Sequence, residues 1–472
     1  MPVKTNSGIG GFLVLALCLL GGFAPSATWA QTDPRDPRQA KPLPKPYPPG
    51  RYTCTAPTGP GTTHGNISVS ETWTAAANPH ILPYDMNISA TVTIEPCAIV
   101  LIGAGKTITV KPGGEFIAAG GPGLPVTIGA LVPGSAWATI RNFGGNISLT
   151  ETIVRDGGFV PNNNANLVAV SGALQMQITA PVATLDLDKV KLHVKNVEIA
   201  NSRSQGVYIN GNVGFDPTSQ NLRIFGSAGY PVHVFARVVG TVPTGNYTGN
   251  ARDAIAISGT GGAVFVSQTM YDRGVPYHVG SGQDGGRMDV RLPNPMPGTW
   301  AVLTIEPGVT IQFAPGGMLH VDASAGGALV ALGTPTRKIV FTSDRGAAAQ
   351  AGDWLGIRFG STAPAQGGLR FTRVEFAGGT SPTGSNSCPY PGLANSNNAA
   401  IRIYGPPKLQ FGQFVTDTEI LHSAHHGIDR GWYGGSQTDF LTSNTFVGVM
   451  ECNQTMNRTM AGACPVPVPC PK

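Results

Sequence analysis

Residues 303–313 read LTIEPGVTIQF, with apolar side chains at 303, 305, 309, 311 and 313 and polar ones between them. A period of two is the mark of a half-buried β-strand, because successive side chains leave opposite faces of an extended chain. The same T-I-E-P opens residues 93–110, TIEPCAIVLIGAGKTITV, so residues 304–320, TIEPGVTIQFAPGGMLH, overlie it at an offset of 211. Further along, Trp137-Ala138-Thr139-Ile140-Arg141 falls on Trp354-Leu355-Gly356-Ile357-Arg358 at an offset of 217. Gly157-Gly158 falls on Gly378-Gly379 at 221, as Glu198-Ile199 and Ser202-x-x-x-Gly206 fall on Glu419-Ile420 and Ser423-x-x-x-Gly427. The order holds while the spacing drifts, which is the behaviour of an internal duplication with insertions in its turns.

Alternating runs recur at Thr107–Val110, Val190–Val194, Val207–Ile209, Ile339–Phe341 and Leu369–Phe376, separated by Gly, Asn, Pro and Asp clusters. No window of 12 or more residues carries a capped helical stripe, so the chain is read as all-β. A propeller would show a blade signature of about 40–50 residues, which is absent. A right-handed parallel β-helix suits the pattern, since each coil stacks its strands on the last and buries an inward row of Val, Ile, Leu and Phe.

The residues themselves then carry a resemblance. LTIEPGVTIQF, followed by GGALVALGTPTRKIVFTS (326–343) and GDWLGIRF (352–359), resembles the repeats of secreted bacterial right-handed parallel β-helix proteins of the pectin-lyase-like fold. VEIANSRSQGVYINGN, NLRIFGSAGYPVHVF and GNYTGNARDAIAISG are similar to coils of that group. The resemblance spans residues 88–450 and is specific for fold, not for activity. With about 22–25 residues per coil it implies roughly 15 coils and a rod about 70 Å long. Rod ends are exposed strand edges and need covering. The expected layout is a signal peptide (1–30), a Pro-rich linker (31–50), an N-terminal cap (51–87), a β-helix in two halves (88–300 and 301–450), and a Cys/Pro-rich C-terminal cap (451–472).

The leader reading rests on Lys4, the apolar run Phe12–Leu20 and the small residues before Gln31, which is the layout of a cleaved secretory signal. Gly21-Gly22 and Pro25 break that run well short of the ~20 apolar residues a membrane span needs. A secreted or cell-surface location follows as the expectation. Six cysteines remain beyond it, Cys54, Cys97, Cys388, Cys452, Cys464 and Cys470, an even number that points to disulfides with pairing left open. None sits in a CxxC or near a histidine at finger spacing, so no metal site is expected. Gly (64) and Pro (40) exceed a fifth of the 472 residues, which predicts many turns, while 41% hydrophobic content and only 12% charge exclude disorder driven by repulsion. A formal charge of +5 over such a length gives no footprint for nucleic acid.

Chemistry is sparser. If the resemblance extends to lyases of this fold, it implies Ca²⁺ held on clustered carboxylates and an Arg or Lys that abstracts the proton, so Ca²⁺ enters only under that reading. In residues 183–194, TLDLDKVKLHV with its preceding Ala183, Thr184, Asp186 and Asp188 share a strand face, with Lys189 and Lys191 joining past a bulge. Two carboxylates are few for Ca²⁺, and a solvated Asp–Lys face is the plainer reading. The segment Ala424-His425-His426-Gly427-Ile428-Asp429-Arg430 resembles the histidine turn of glycosidases of this fold, without their paired acidic motifs. Its Ser423 and Gly427 repeat Ser202 and Gly206, so a coil corner competes with catalysis by His425, His426, Asp429 or Arg430. Trp354, like its counterpart Trp137, either caps a coil or stacks on sugar rings, and Trp432-Tyr433 on a Gly-rich turn is expected to be exposed as a second aromatic platform.

The leading expectation is a non-enzymatic binding or structural rod contacting a glycan or extracellular matrix. The alternative is a polysaccharide lyase or glycoside hydrolase acting on an acidic polysaccharide. Oligomeric state, and whether the two halves carry equivalent sites, stay open.

Overall fold

Each strand pairs in parallel with the strand one coil later, so the chain advances along one axis while its side chains keep alternating between core and surface. The computed structural model describes residues 53–160, 171–178, 191–211, 213–258, 262–280, 286–296, 298–360, 367–380, 398–404, 414–432 and 438–456. The stretches expected to be the signal peptide and linker, Thr184 to Lys189, and Cys388, Tyr433, Cys464 and Cys470 lie outside them. The architecture is a right-handed parallel β-helix. A 13-stranded sheet runs from Met86–Ile88 to Thr445–Val447. An 11-stranded sheet, from Thr62–Thr63 to Gly245–Asn246, flanks the N-terminal half. Two 5-stranded sheets flank the C-terminal half, one from Gln268–Met270 to Val415–Thr416 and the other from Arg287–Val290 to His426–Arg430.

Alternation builds the core. In Thr91–Ile94, Ile99–Ile102 and Thr310–Phe313 every second residue is buried. In-register stacking turns these into continuous rows: Val100, Ile128, Val154, Ile199 and Ile224 lie one above another with no exposed surface. Each such side chain contributes about 1.5–3 kcal/mol by leaving water. Pairing already begins at Thr62, inside the stretch expected to form a separate cap. The Cys54–Cys97 disulfide ties that beginning to the second coil, and Cys452 is also disulfide-bonded.

Coil length is not uniform. Along the long sheet the step is 22 residues from Met86 to Ile108 but 46 from Val374 to Ile420, because turns absorb insertions at little cost while strands cannot. Thirteen strands at ~4.8 Å give a rod of about 58 Å, shorter than equal coils would imply.

The corners are set by residues with positive φ. Glu151 and Asp156 (φ 44° and 60°) bracket one short strand segment, and Asn196 and Asn201 (56° and 59°) bracket the segment paired with it. Asn221 and Gly226 (54° and 68°) repeat the arrangement one coil on. Their side chains form a ladder: the Asn196 amide donates to Glu151 Oε1 at 2.6 Å, and the Asn221 amide to Asn196 Oδ1 at 2.7 Å. The second half reuses the scheme with Phe371 and Phe376 under Asp417 and His422, where the Phe376 and His422 rings stack at 5.4 Å.

The duplicated residues do duplicated work. Trp137 Nε1 donates to the Arg155 carbonyl at 2.8 Å and Trp354 Nε1 to the Glu375 carbonyl at 2.7 Å, each just before a left-handed corner. Gly158 and Gly378 follow those corners, and a Cβ at either would lie 2.2 Å from Ser202 Oγ or Ser423 Oγ. Both tryptophans are fully buried. Replacing either by Ala is expected to cost about 3–5 kcal/mol, read as a lowered denaturation midpoint by circular dichroism; a midpoint within error of wild type in both variants would disprove this account of the repeat.

Candidate functional site

The residues singled out in the sequence do not converge on one chemistry. His425 Nδ1 and His426 Nε2 meet the two oxygens of Glu451 at 3.0 and 3.1 Å. Ser423 Oγ donates to the His426 carbonyl at 2.7 Å, as Ser202 Oγ donates to that of Gln205 at 2.5 Å, so the histidine segment is built as a coil corner in both halves. On the strand that follows, Ile428 points into the core, which sends Asp429 outward and Arg430 inward. Asp429 Oδ1 accepts from Thr455 Oγ1 at 3.1 Å, and Arg430 Nε donates to the Thr455 carbonyl at 2.5 Å. Arg430 closes the end of the core, where burial pulls its pKa down.

The aromatic platforms give way. Trp354 has no exposed surface and stacks on Phe313 at 4.3 Å with the rings 3° apart. Trp432, expected on an exposed turn, is 1% exposed and meets Phe440 edge-on. Both indoles are spent on the core, as large apolar rings close to a coil end must be, and neither offers a face to a sugar.

A different cluster forms on the outer surface of the long sheet. Parallel register stacks Tyr208, His233, Ala256, His278 and Gln312 in one outward row. Their neighbours along each strand, Val232 and Val234, Ile255 and Ile257, Tyr277 and Val279, all point inward. Ala256 leaves its rung nearly bare. Tyr230, arriving from the turn before the strand Val232–Phe235, packs with it outside the main core. The Tyr230 ring stacks on His278 at 5.5 Å and presents an edge to His233 at 6.4 Å.

Hydrogen bonds then join four residues from four coils. His278 Nε2 lies 3.0 Å from Asp344 Oδ2, and His278 Nδ1 lies 2.8 Å from Tyr230 Oη. An ionised carboxylate only accepts, so Nε2 carries the proton and Nδ1 is left to accept from the tyrosine. Arg252 Nη1 donates to Tyr230 Oη at 2.6 Å, with its guanidinium over the ring. Beside them His233 Nε2 lies 2.9 Å from Ser258 Oγ. Tyr230, His233 and His278 are each at most 5% exposed, whereas Arg252 is exposed and Asp344 half-buried. The arrangement can move a proton from a phenol to an oriented imidazole while a cation steadies the phenolate. Sequence inspection passed over it because each histidine stands alone in a Val-rich strand; the available signal was two strands, 232–235 and 277–279, carrying His at an outward position.

The adjacent sheet carries a second polar row, Asp289, His320, Arg358, Arg402 and Asp429 in register. Among the described residues no group of three or more His, Cys, Asp or Glu side chains could hold a metal, and no helix is long and apolar enough to cross a membrane. In comparisons with known proteins, no family model, curated protein or solved structure matches the chain.

Burial would raise the Asp289 carboxyl, but its hydrogen bond with His320 and the charge and hydrogen bond of Arg287 outweigh that and hold it below the usual carboxylate value. A depressed carboxylate stabilises the fold above its unfolded pKa of about 3.9 and loses that contribution as pH falls through the folded value. The urea midpoint of Asp289→Asn is therefore expected to lie below that of wild type at neutral pH and to converge on it under acid; a gap unchanged on acidification would refute the assignment.

Proposed function

We propose that the protein is a secreted carbohydrate-active enzyme that cleaves an acidic polysaccharide by β-elimination on the outer face of its long sheet. The Arg252–Tyr230–His278–Asp344 chain carries the reading. Elimination from a uronate needs a cation for the carboxylate, a base for the α-proton and an acid for the leaving oxygen. Exposed Arg252 supplies the first. Tyr230 passes its proton to His278 Nδ1, and the resulting phenolate, steadied by Arg252, takes the proton from C5. The electrons of that C–H bond form the C4–C5 double bond as the C4–O bond breaks. Tyr230 returns the proton to the departing oxygen, and His278 then reprotonates the phenolate. Asp344 keeps His278 in the tautomer this exchange requires.

Burial of Trp354 and Trp432 weakens the case for a rod that binds sugars on aromatic platforms. Hydrolysis needs a second carboxylate across the scissile bond, which none of these four residues supplies beyond Asp344. Location outside the cell is inferred from residues 1–30 and the disulfides.

The test is to incubate the protein with a panel of polyuronates and follow unsaturated ends. Tyr230→Phe is expected to keep the fold and lower kcat about 10²–10⁴-fold, with a smaller effect on KM. New reducing ends without unsaturation would make the protein a hydrolase, and retention of a polymer without turnover would make it a binding rod; either result ends the elimination reading.

A further inference from the structure

The N-terminal half carries a cavity on the 11-stranded sheet, a different face from the one that bears Tyr230. Its volume is about 230 Å³, many times the ~15 Å³ that admits one water. Its lining includes the corner ladder of Glu151, Asn196 and Asn221 and the prolines Pro122 and Pro125. Buried Glu198 closes the wall.

The walls are rigid. Pro122 and Gly123 sit in a tight turn closed in both directions, Gly121 N to Leu124 O at 3.0 Å and Leu124 N to Gly121 O at 2.8 Å. Thr53 N donates to Gly123 O at 3.0 Å, which ties that turn to the segment anchored by the Cys54–Cys97 disulfide. Glu198 is clamped by Arg155 and Arg223, each at 3.1 Å. Glu151 holds φ of 44°, a backbone state that disfavours a side chain and persists where its surroundings impose it.

The lining selects a ligand by its chemistry. Carboxylates and primary amides exchange paired hydrogen bonds with adjacent hydroxyls, and proline rings offer apolar C–H faces to the flat side of a sugar ring. Among the described residues no cationic side chain lines the cavity, so a uronate carboxylate would meet two carboxylates with no lining cation to match its charge. A divalent cation is also poorly served, since two arginines already match the charge of Glu198. We propose that this cavity binds a neutral pyranose unit presenting adjacent hydroxyls, separately from the acidic substrate of the Tyr230 face.

Left-handed φ makes the test clean, because glycine suits positions 151 and 221 better than the native side chains do. Neutral oligosaccharides of glucose, galactose and mannose, with their uronate counterparts, would be titrated into the full chain by calorimetry and saturation-transfer NMR. One neutral series is expected to bind saturably. Glu151→Gly and Asn221→Gly should each weaken it at least tenfold with unchanged melting, while Tyr230→Phe leaves it intact. The proposal is overturned if no neutral sugar binds, if uronates bind equally well, or if both glycine variants bind as wild type does. Loss of binding in Tyr230→Phe would assign the sugar to the other face and overturn it as well.

Discussion

A chain wound into stacked coils must turn at the same place in every coil, or its strands fall out of register. In five of the coils the turning is done by a pair of residues in the left-handed region five positions apart, at 151 and 156, 196 and 201, 221 and 226, 371 and 376, and 417 and 422. That backbone costs a non-glycine residue about 1–2 kcal/mol, yet Glu151, Asn196, Asp417, Phe371 and Phe376 all adopt it. Stacking offsets the cost: an amide-to-carboxylate bond and an amide-to-amide bond link one corner to the next in the first half, and Phe376 lies on His422 in the second. Trp137 and Trp354 then pin the carbonyls that precede those corners. The aliphatic rows of these coils, such as Ile199 on Val154 and Ile420 on Val374, stack in the same register.

Register is also what assembles chemistry. His233, Ala256 and His278 lie 23 and 22 residues apart along the chain, and fixed corners bring them to neighbouring rungs. The bare rung at Ala256 admits the Tyr230 ring from a turn, and the long excursions between coils let Arg252 and Asp344 reach the same place. A regular ladder of large side chains would have left no room for that inserted tyrosine. The candidate site is thus a local defect in a repetitive surface, which is where a solenoid can depart from its repeat without disturbing its core.

Charge differs between the faces in a way that composition conceals. A small net charge over 472 residues is compatible with an exposed guanidinium above Tyr230, a clamped and buried Glu198 on another face, and a row of Asp, His, Arg, Arg and Asp rungs on a third. Each row meets its own environment because parallel stacking keeps like positions together along the axis.

Alternation in LTIEPGVTIQF, the recurring TIEP and the paired Trp-x-x-Ile-Arg were enough to read an all-β, duplicated parallel coil, because a period of two and a repeat are properties of the chain itself. The same residues could not say whether Trp354 faces a sugar or Phe313, since an alternating pattern marks two faces without naming the buried one at a coil end. Coils of about 22–25 residues were read where steps of 22 to 46 residues occur along the long sheet, because a turn's length leaves no periodic trace. Tyr230, Arg252, His278 and Asp344 were invisible as a group. They are spread over more than a hundred positions, and only the stacking of coils, which converts distance along the chain into neighbouring rungs about 4.8 Å apart, makes them one site.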